Sequence, residues 1–304
     1  MVALRTSLLR RRSAGDWVFD IVNVALILLL CATIVYPFMN QITLSVSNRL
    51  DVQTKGLHLF PHLGRMTIES YHRVLLGGSI VPAFFWTVLR TVLGTSITVT
   101  VLIMMAYSLS KKYLPYRNFW TFLVVFTMFF SGGLVPSFLL VRSLGIMNTI
   151  WALVLPTVAN AFSLIIARNF MMSVSEELAE SARIDGANDV TILFRIYVPV
   201  SMPIIATLSL WSMVQHWNSW FDALIYIQRP PIQILQAILR RVLIDASFTA
   251  TSIDEQALAI EFQEYTPESL RAAILMVVTI PIVLTYPFFQ RYFVKGIMIG
   301  SLKG

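Results

Sequence analysis

The chain has 304 residues, of which 57% are hydrophobic and only 13% are charged, and its mean hydropathy is +0.72. Soluble domains have about 45–50% apolar and about 25% charged residues, so this composition excludes a cytosolic enzyme and a disordered chain and predicts a membrane protein. The net charge of +7 and the pI near 9.7 could suggest binding to nucleic acid, but the positions of the charges argue against that function.

Six apolar runs are long enough to cross a bilayer as helices, which takes about 20 mostly apolar residues each. They are residues 18–42, 86–108, 119–141, 147–167, 203–227 and 272–293. The first run follows a cluster of arginines, as a signal peptide would. It is longer than the roughly 7–15 apolar residues of a signal peptide, and it ends in Tyr36-Pro37-Phe38-Met39 rather than at small residues. The sequence therefore predicts an all-α membrane protein with six transmembrane helices in one domain, residues 1–304.

The lysines and arginines indicate the orientation, because they concentrate on the cytoplasmic side of membrane proteins. With the N-terminus (1–17) and the C-terminus in the cytoplasm, 13 of the 23 fall inside and 9 outside, and Arg90 lies beside the second run. Residues 43–82 and 228–270 become large outer segments, and residues 169–200 become a cytoplasmic loop. The basic excess is thus a topology signal and not the mark of a nucleic-acid binder.

A transporter of this kind needs a source of energy. Ion-coupled carriers usually keep carboxylates inside their spans, whereas the acid nearest to a span here is Asp222, toward the outer end of the fifth run. The chain also lacks a Gly-Lys phosphate-binding loop, a metal-ligand spacing and a catalytic constellation. An ion-coupled carrier or channel subunit and a membrane enzyme are the alternatives to a subunit whose partner hydrolyses ATP.

The polar loop at 169–200 carries signals for two short helices. Ser173 and Glu176 have the spacing of a capping box, which predicts a helix over 175–184, and Gly186 can end it in a left-handed conformation. Asn188 or Asp189 can begin a second helix that leads to Pro199. An amphipathic loop lying on the membrane surface is the alternative.

This loop resembles the EAA motif of permease subunits of binding-protein-dependent ABC importers. The motif reads Glu-Ala-Ala, three residues, Gly, nine residues, Ile, two residues and Pro. The chain has Glu180-Ser181-Ala182, Gly186, Ile196 and Pro199 at that spacing, with Ser181 as the one departure. Residues 182–187 resemble the carbohydrate-uptake class, whose members include the inner subunits of maltose-type importers.

The resemblance implies the type I ABC importer permease fold and a set of partners. In the family this loop docks on the ATPase, which implies the following contact residues: Glu180, Ser181, Ala182, Asp185, Gly186 and Ala187. The implied partners are a second permease subunit, two ATP-binding subunits that hold ATP and Mg²⁺, a solute-binding protein and the bilayer of a bacterial inner membrane. No cofactor or metal is expected in this chain.

Further stretches resemble the same family, namely residues 106–112, 217–222 and 286–296. The last of these resembles a branch that serves oligosaccharides, including acidic plant and algal polysaccharide fragments such as those of pectin and alginate. The outer segments are predicted to meet the sister permease and the solute-binding protein. Their charged and aromatic residues include Tyr71, His72, Arg240, Arg241, Phe262 and Tyr265.

The fifth run is the most polar of the six and predicts part of a translocation pathway. Hydroxyl, amide and aromatic groups suit sugars, and a lipid-facing helix would not carry so many of them. The predicted pathway residues are Ser212, Gln215, His216, Trp217, Asn218 and Ser219. An interfacial aromatic belt with hydrogen bonds between helices is the alternative, and the sequence leaves both open.

Overall fold

The computed structural model describes residues 14–53, 60–62, 65–76, 78–229, 231–248 and 266–301. Phe262 and Tyr265 therefore lie outside the described residues, as do the ends of the chain. Within the described ranges the secondary structure is helical, apart from an isolated antiparallel bridge between Ser47 and Met66. The all-α fold class predicted from composition is confirmed for this part of the chain.

The helices are numbered in chain order. The first eight are α1 (Ala14–Ser45), α2 (Arg49–Gln53), α3 (Glu69–Leu76), α4 (Ile80–Ser110), α5 (Arg117–Phe129), α6 (Leu134–Ser143), α7 (Ile150–Val154, continued by a 3-10 turn over Leu155–Thr157) and α8 (Ala161–Met172). The others are α9 (Glu176–Ile184), α10 (Asp189–Ile192, continued by a π-helical turn over Leu193–Tyr197), α11 (Val198–Val200), α12 (Met202–Asn218), α13 (Phe221–Tyr226), α14 (Leu235–Phe248) and α15 (Pro267–Ser301).

Three helical stretches are long and apolar enough to cross a membrane without a break: Gly15–Ser45, Ile80–Ser110 and Pro267–Thr285. Three bent pairs of helices pass the same test of length and composition when each pair is taken together: α5 with α6, residues 150–157 with α8, and residues 189–200 with α12. The described residues thus contain three clear spans, and six if each bent pair is one span. The upper count equals the predicted six, but the spans are not six straight helices, and the third pair includes residues 189–200, which were predicted to belong to the cytoplasmic loop.

Two of the bends lie at residues that interrupt the helical backbone. The bend of 116° between α5 and α6 falls at Gly133, whose φ of +85° is accessible mainly to glycine. The bend of 53° before α8 follows a turn that contains Pro156, and the Asn160 side chain then caps α8 by accepting a hydrogen bond from the backbone of Ser163. The predicted runs at 119–141 and 147–167 each span such a break.

The third bend, of 84°, separates residues 189–200 from α12. It lies at Ser201, between Pro199 and Pro203. Pro203 has no backbone N–H and therefore removes one hydrogen bond that would carry a helix across the bend. The fifth predicted run also breaks at its outer end, where α12 stops at Asn218 and α13 begins at Phe221.

The described chain forms two compact units, Met1–Val74 with Ile253–Met276, and Leu75–Ser252 with Val277–Gly304. In the first unit, the hydroxyl of Tyr71 donates to Ser45 Oγ at 2.8 Å, and the hydroxyl of Ser70 donates to Ser269 Oγ at 3.0 Å. These bonds join α3 to α1 and to the start of α15. The prediction of a single domain over the whole chain stays a prediction.

The second unit is built around α4, which contacts α5, α7, α8, α12 and α14. Its apolar core includes Leu102 and Ala106 of α4, Ala167 of α8 and Leu208 of α12. Thr87 and Thr91 of α4 donate their hydroxyl protons to carbonyl groups one turn earlier in the helix, so these polar groups are paired inside the core. The alanines allow close packing of the helices, as is usual between membrane spans.

Candidate functional site

The predicted cytoplasmic loop folds as a capped helix followed by a tight turn. Ser175 caps α9 by accepting a hydrogen bond from the backbone of Glu177 at 3.3 Å. Ser173, which has the spacing of a capping box, instead donates to the carbonyl of Phe170, so its expected capping role is wrong. The prediction of a helix over 175–184 is confirmed.

Gly186 ends α9 as the sequence predicted. Its φ is +81°, its N–H donates to the carbonyl of Arg183 at 3.0 Å, and the N–H of Ala187 donates to the carbonyl of Ala182 at 2.9 Å. This pair of bonds is a Schellman motif, which requires a left-handed residue at the position of Gly186. Asn188 then caps α10 by accepting from the backbone of Thr191.

The six residues predicted to contact an ATPase lie on α9 and on the turn after it: Glu180, Ser181, Ala182, Asp185, Gly186 and Ala187. Ala182 and Ala187 are half-buried and pack against the chain's own core, and Ala179 one turn earlier is buried at 2% exposure. The other four are exposed. They share the free surface with Ile184, whose side chain is 87% exposed and which was not among the predicted contacts.

Asp189 connects this loop to the end of α4. Its Oδ1 accepts hydrogen bonds from Arg183 Nη2 at 3.0 Å, from the Tyr113 hydroxyl at 3.0 Å and from the Tyr107 hydroxyl at 3.2 Å. Arg183 Nη2 also donates to the Tyr113 oxygen at 2.8 Å. Burial and the hydrogen bond to Asp189 raise the pKa of Tyr113, which keeps its hydroxyl protonated and able to donate.

A second connection runs through Lys111, which follows α4. Its Nζ donates to the Tyr197 hydroxyl at 2.6 Å and lies 4.0 Å and 4.6 Å from the ring centroids of Tyr197 and Tyr107. The side chain is only 5% exposed, so these cation–π contacts act away from bulk water. The loop is therefore attached to α4 at two separate places.

The predicted pathway residues of the fifth run separate into two groups. Ser212, His216 and Trp217 are buried, and the indole N–H of Trp217 donates to the carbonyl of Val278 at 3.1 Å. Gln215 and Asn218 are exposed on the opposite side of α12. The structure thus places three of the polar residues between helices and two on a free face.

Ser219, the last predicted pathway residue, belongs to a buried network around Arg90. The guanidinium of Arg90, which is 1% exposed, forms an ion pair with Asp222 and donates to the carbonyl of Ser219 at 3.0 Å and to that of Leu153 at 3.4 Å. The Ser219 hydroxyl donates to the other Asp222 oxygen at 2.8 Å. Asp222, the acid nearest to a predicted span, is thereby neutralised inside the fold. Arg90 and Asp222 lie 132 positions apart, so local sequence patterns could not reveal their pairing.

Nearly the whole chain is similar to known transport permeases. Residues 17–299 match the family described as binding-protein-dependent transport system inner membrane component. The polygalacturonan/rhamnogalacturonan transport system permease protein YtcP of Bacillus subtilis is 38% identical over 94% of this chain and 98% of its own length. Protein LplC of the same organism is 36% identical over 94% of this chain and 95% of its own length.

A solved structure gives the same result for the fold. The chain resembles a crystal structure of a bacterial ABC transporter involved in the import of the acidic polysaccharide alginate, with a TM-score of 0.85 and 30% identity over 93% of this chain and 99% of that chain. The family match covers nearly the whole sequence, both capped helices of the loop included. This chain therefore belongs to the family of inner-membrane permease components of binding-protein-dependent transport systems.

Proposed function

We propose that this chain is the transmembrane subunit of an ATP-driven importer and forms half of the translocation pathway for an oligosaccharide. A solute-binding protein delivers the sugar, a second permease subunit completes the pathway, and two separate ATP-binding subunits hold ATP and Mg²⁺. The observation that carries the proposal is the capped helix α9, which exposes Glu180 and Ser181 while its other face is fixed to the chain's own core.

The surface of this chain that docks on the ATPase is the free side of α9. It combines the charge of Glu180, the small side chain of Ser181 and the apolar side chain of Ile184. A central apolar residue bordered by polar groups is the usual composition of a protein interface. Ala182 and Ala187 contribute from the opposite side, by seating α9 on the core.

Movement of the docked helix reaches the spans by two routes. The Asp189 network and Lys111 connect the loop to α4, and the continuous chain from α10 to the bend at Ser201 connects it to α12. Closure of the ATPase subunits would then select one of two arrangements of the packed helices, which is rigid-body gating.

The substrate proposed is an acidic oligosaccharide. The support is the 38% identity to a permease named for polygalacturonan and rhamnogalacturonan transport, and the likeness to a transporter of the acidic polysaccharide alginate. Within this chain, the exposed Gln215 and Asn218 supply amide groups that can bind sugar hydroxyls. The buried Ser212, His216 and Trp217 hold the helix that presents them.

The proposed orientation has both termini in the cytoplasm of a bacterial cell, with the permease in the inner membrane. The arginine and lysine distribution supports this orientation. The membrane location is supported by α1, whose apolar window contains no buried residue in the described part of the chain. Accessibility of a cysteine introduced at exposed Ile184 to a membrane-impermeant reagent, from the inside only, tests this orientation.

Reconstitution with the partner subunits in proteoliposomes tests the function as a whole. Uptake of oligogalacturonide should require the binding protein outside and ATP with Mg²⁺ inside, and vanadate should stop it. Glu180→Lys, and Gly186→Pro separately, should each abolish uptake and co-purification of the ATPase, while Glu69→Lys in the predicted outer segment should leave co-purification of the ATPase unchanged. Uptake driven by an ion gradient without ATP would establish a secondary carrier instead.

A further inference from the structure

A cavity of about 540 Å³ lies between α13 and α14 and contains three arginines. Arg229, Arg240 and Arg241 line it together with two amide side chains, Gln228 and Gln233. No carboxylate among the described side chains forms an ion pair with any of the three guanidinium groups. All three side chains are exposed, so their guanidinium groups are accessible to an anion that enters the cavity.

Trp220 fixes one of these groups in position. The guanidinium carbon of Arg240 lies 3.5 Å from the centroid of the Trp220 ring, so the guanidinium is stacked on the indole. A stacked guanidinium keeps its N–H groups at its edge, where they can form two parallel hydrogen bonds to a carboxylate. None of these N–H groups is used by another described side chain or backbone group in this structure.

The cavity adjoins the predicted pathway at the outer end of α12. Gln236 of α14 donates from Nε2 to Asn218 Oδ1 at 3.4 Å, and Asn218 belongs to the exposed face of α12. The nearby acid, Asp222, does not neutralise the cavity because Arg90 already pairs with it from inside the fold. Among the described side chains, therefore, no carboxylate neutralises the three arginines.

We infer that this cavity is a binding site for the carboxylate groups of an acidic oligosaccharide as it leaves the solute-binding protein. The inference rests on the proposed function and adds a site to it, formed by Arg229, Arg240 and Arg241. The size of the cavity fits sugar residues, since small-molecule sites typically measure about 300–1,000 Å³. Guanidinium and amide groups together recognise both the carboxylate and the hydroxyls of a uronic acid.

The test uses the complete importer in proteoliposomes with Arg240→Gln combined with Arg241→Gln. Oligogalacturonide uptake should fall about tenfold or more, the effect of losing one or two charge-assisted hydrogen bonds. Uptake of the methyl-esterified, uncharged form of the same oligosaccharide should change less than about twofold. Lysine at both positions should restore part of the loss, and Arg142→Gln on α6 should have no effect, because Arg142 lies outside the cavity.

Two further measurements distinguish a substrate site from a docking surface for the binding protein. ATPase stimulation by the loaded binding protein should stay within about twofold of the wild type, because docking of the binding protein is not affected. A parallel loss of ATPase stimulation would make the arginines a docking surface for the binding protein and would overturn the inference. Equal losses for charged and esterified sugars would also overturn it, whereas failure of the wild type to import either sugar would refute the proposed function itself.

Discussion

Gly94 of α4 lies directly against the imidazole ring of His216 on α12, so that no side chain fits between the two helices at this level. A Cβ atom added at Gly94 would lie 2.6 Å from His216 Cε1 and 2.7 Å from Cδ2. Real Cβ atoms do not approach ring carbons so closely, and the imidazole is buried at 2% exposure and cannot swing into solvent. The contact sets the distance between two central helices of the second unit.

Gly94→Ala should therefore destabilise the permease by roughly 1–3 kcal/mol through overpacking. Thermal unfolding of the detergent-solubilised complex measures the change. Gly132→Ala is the matched control, because a Cβ there would lie 3.7 Å from the nearest atom, on Pro136, at ordinary contact distance. An unchanged melting temperature for Gly94→Ala would mean that α4 and α12 are not packed this closely.

Removal of one partner from the Arg90–Asp222 pair should have a larger effect. Asp222→Asn or Arg90→Met leaves the other charge without its buried partner, which typically costs about 3–5 kcal/mol. The double substitution of Arg90→Met with Asp222→Leu should recover a large part of the loss. The exposed pair of Lys112 and Glu176, with 3.8 Å between Nζ and Oε2, supplies the control: Lys112→Met should change the stability by less than about 0.5 kcal/mol. If Arg90→Met and Lys112→Met lowered the stability by the same amount, the Arg90–Asp222 pair would not be buried.

The Asp189 network should transmit movement without being needed for docking. In Tyr113→Phe and Asp189→Asn, ATPase subunits should still co-purify, while uptake per ATP hydrolysed should fall severalfold because α4 loses its connection to the loop. Tyr116→Phe is the matched control, since its ring is exposed and it lies outside the network, just before α5. Loss of co-purification in Tyr113→Phe would instead make the tyrosine a docking residue.

Ile184 should be the apolar anchor of the docked ATPase. Ile184→Asp places a charge at the centre of the proposed interface and should lower ATPase association by tenfold or more, about 1.4 kcal/mol or above. Folding should not change, because the side chain is already exposed to water. Leu144→Asp, at an exposed position on the predicted outer side, should leave association as it is. The measurement is the titration of detergent-solubilised permease with purified ATPase subunits.

The sequence predicted the features that depend on neighbouring residues. The helix α9, its end at Gly186 and a cap at Asn188 or Asp189 were all predictable, because capping and left-handed turns depend on residues within four positions. The number of apolar runs could be predicted for the same reason. The bend at Gly133 was harder to predict, since the apolar run at 119–141 looks the same whether or not Gly133 interrupts the helix.

The features that depend on distant residues were not predictable from one sequence. Arg90 was visible beside a span and Asp222 at the end of another, yet nothing local indicated that they pair. The division of α12 into a buried face and an exposed face likewise depends on its packing against α4, which lies about a hundred residues earlier. Polarity alone predicted both Ser212 and Gln215 as pathway residues, although Ser212 is buried in the structure and Gln215 is exposed.

The 84° angle at Ser201 has a mechanical consequence. The helical segment over residues 189–200 and helix α12 meet at nearly a right angle. A force along the axis of residues 189–200 is then almost perpendicular to α12. Such a force tilts α12 sideways instead of sliding it along its own axis. In a straight helix the same force would move α12 along its own axis. Gln215 and Asn218 would then shift along the membrane normal, and the width of the proposed translocation pathway would not change.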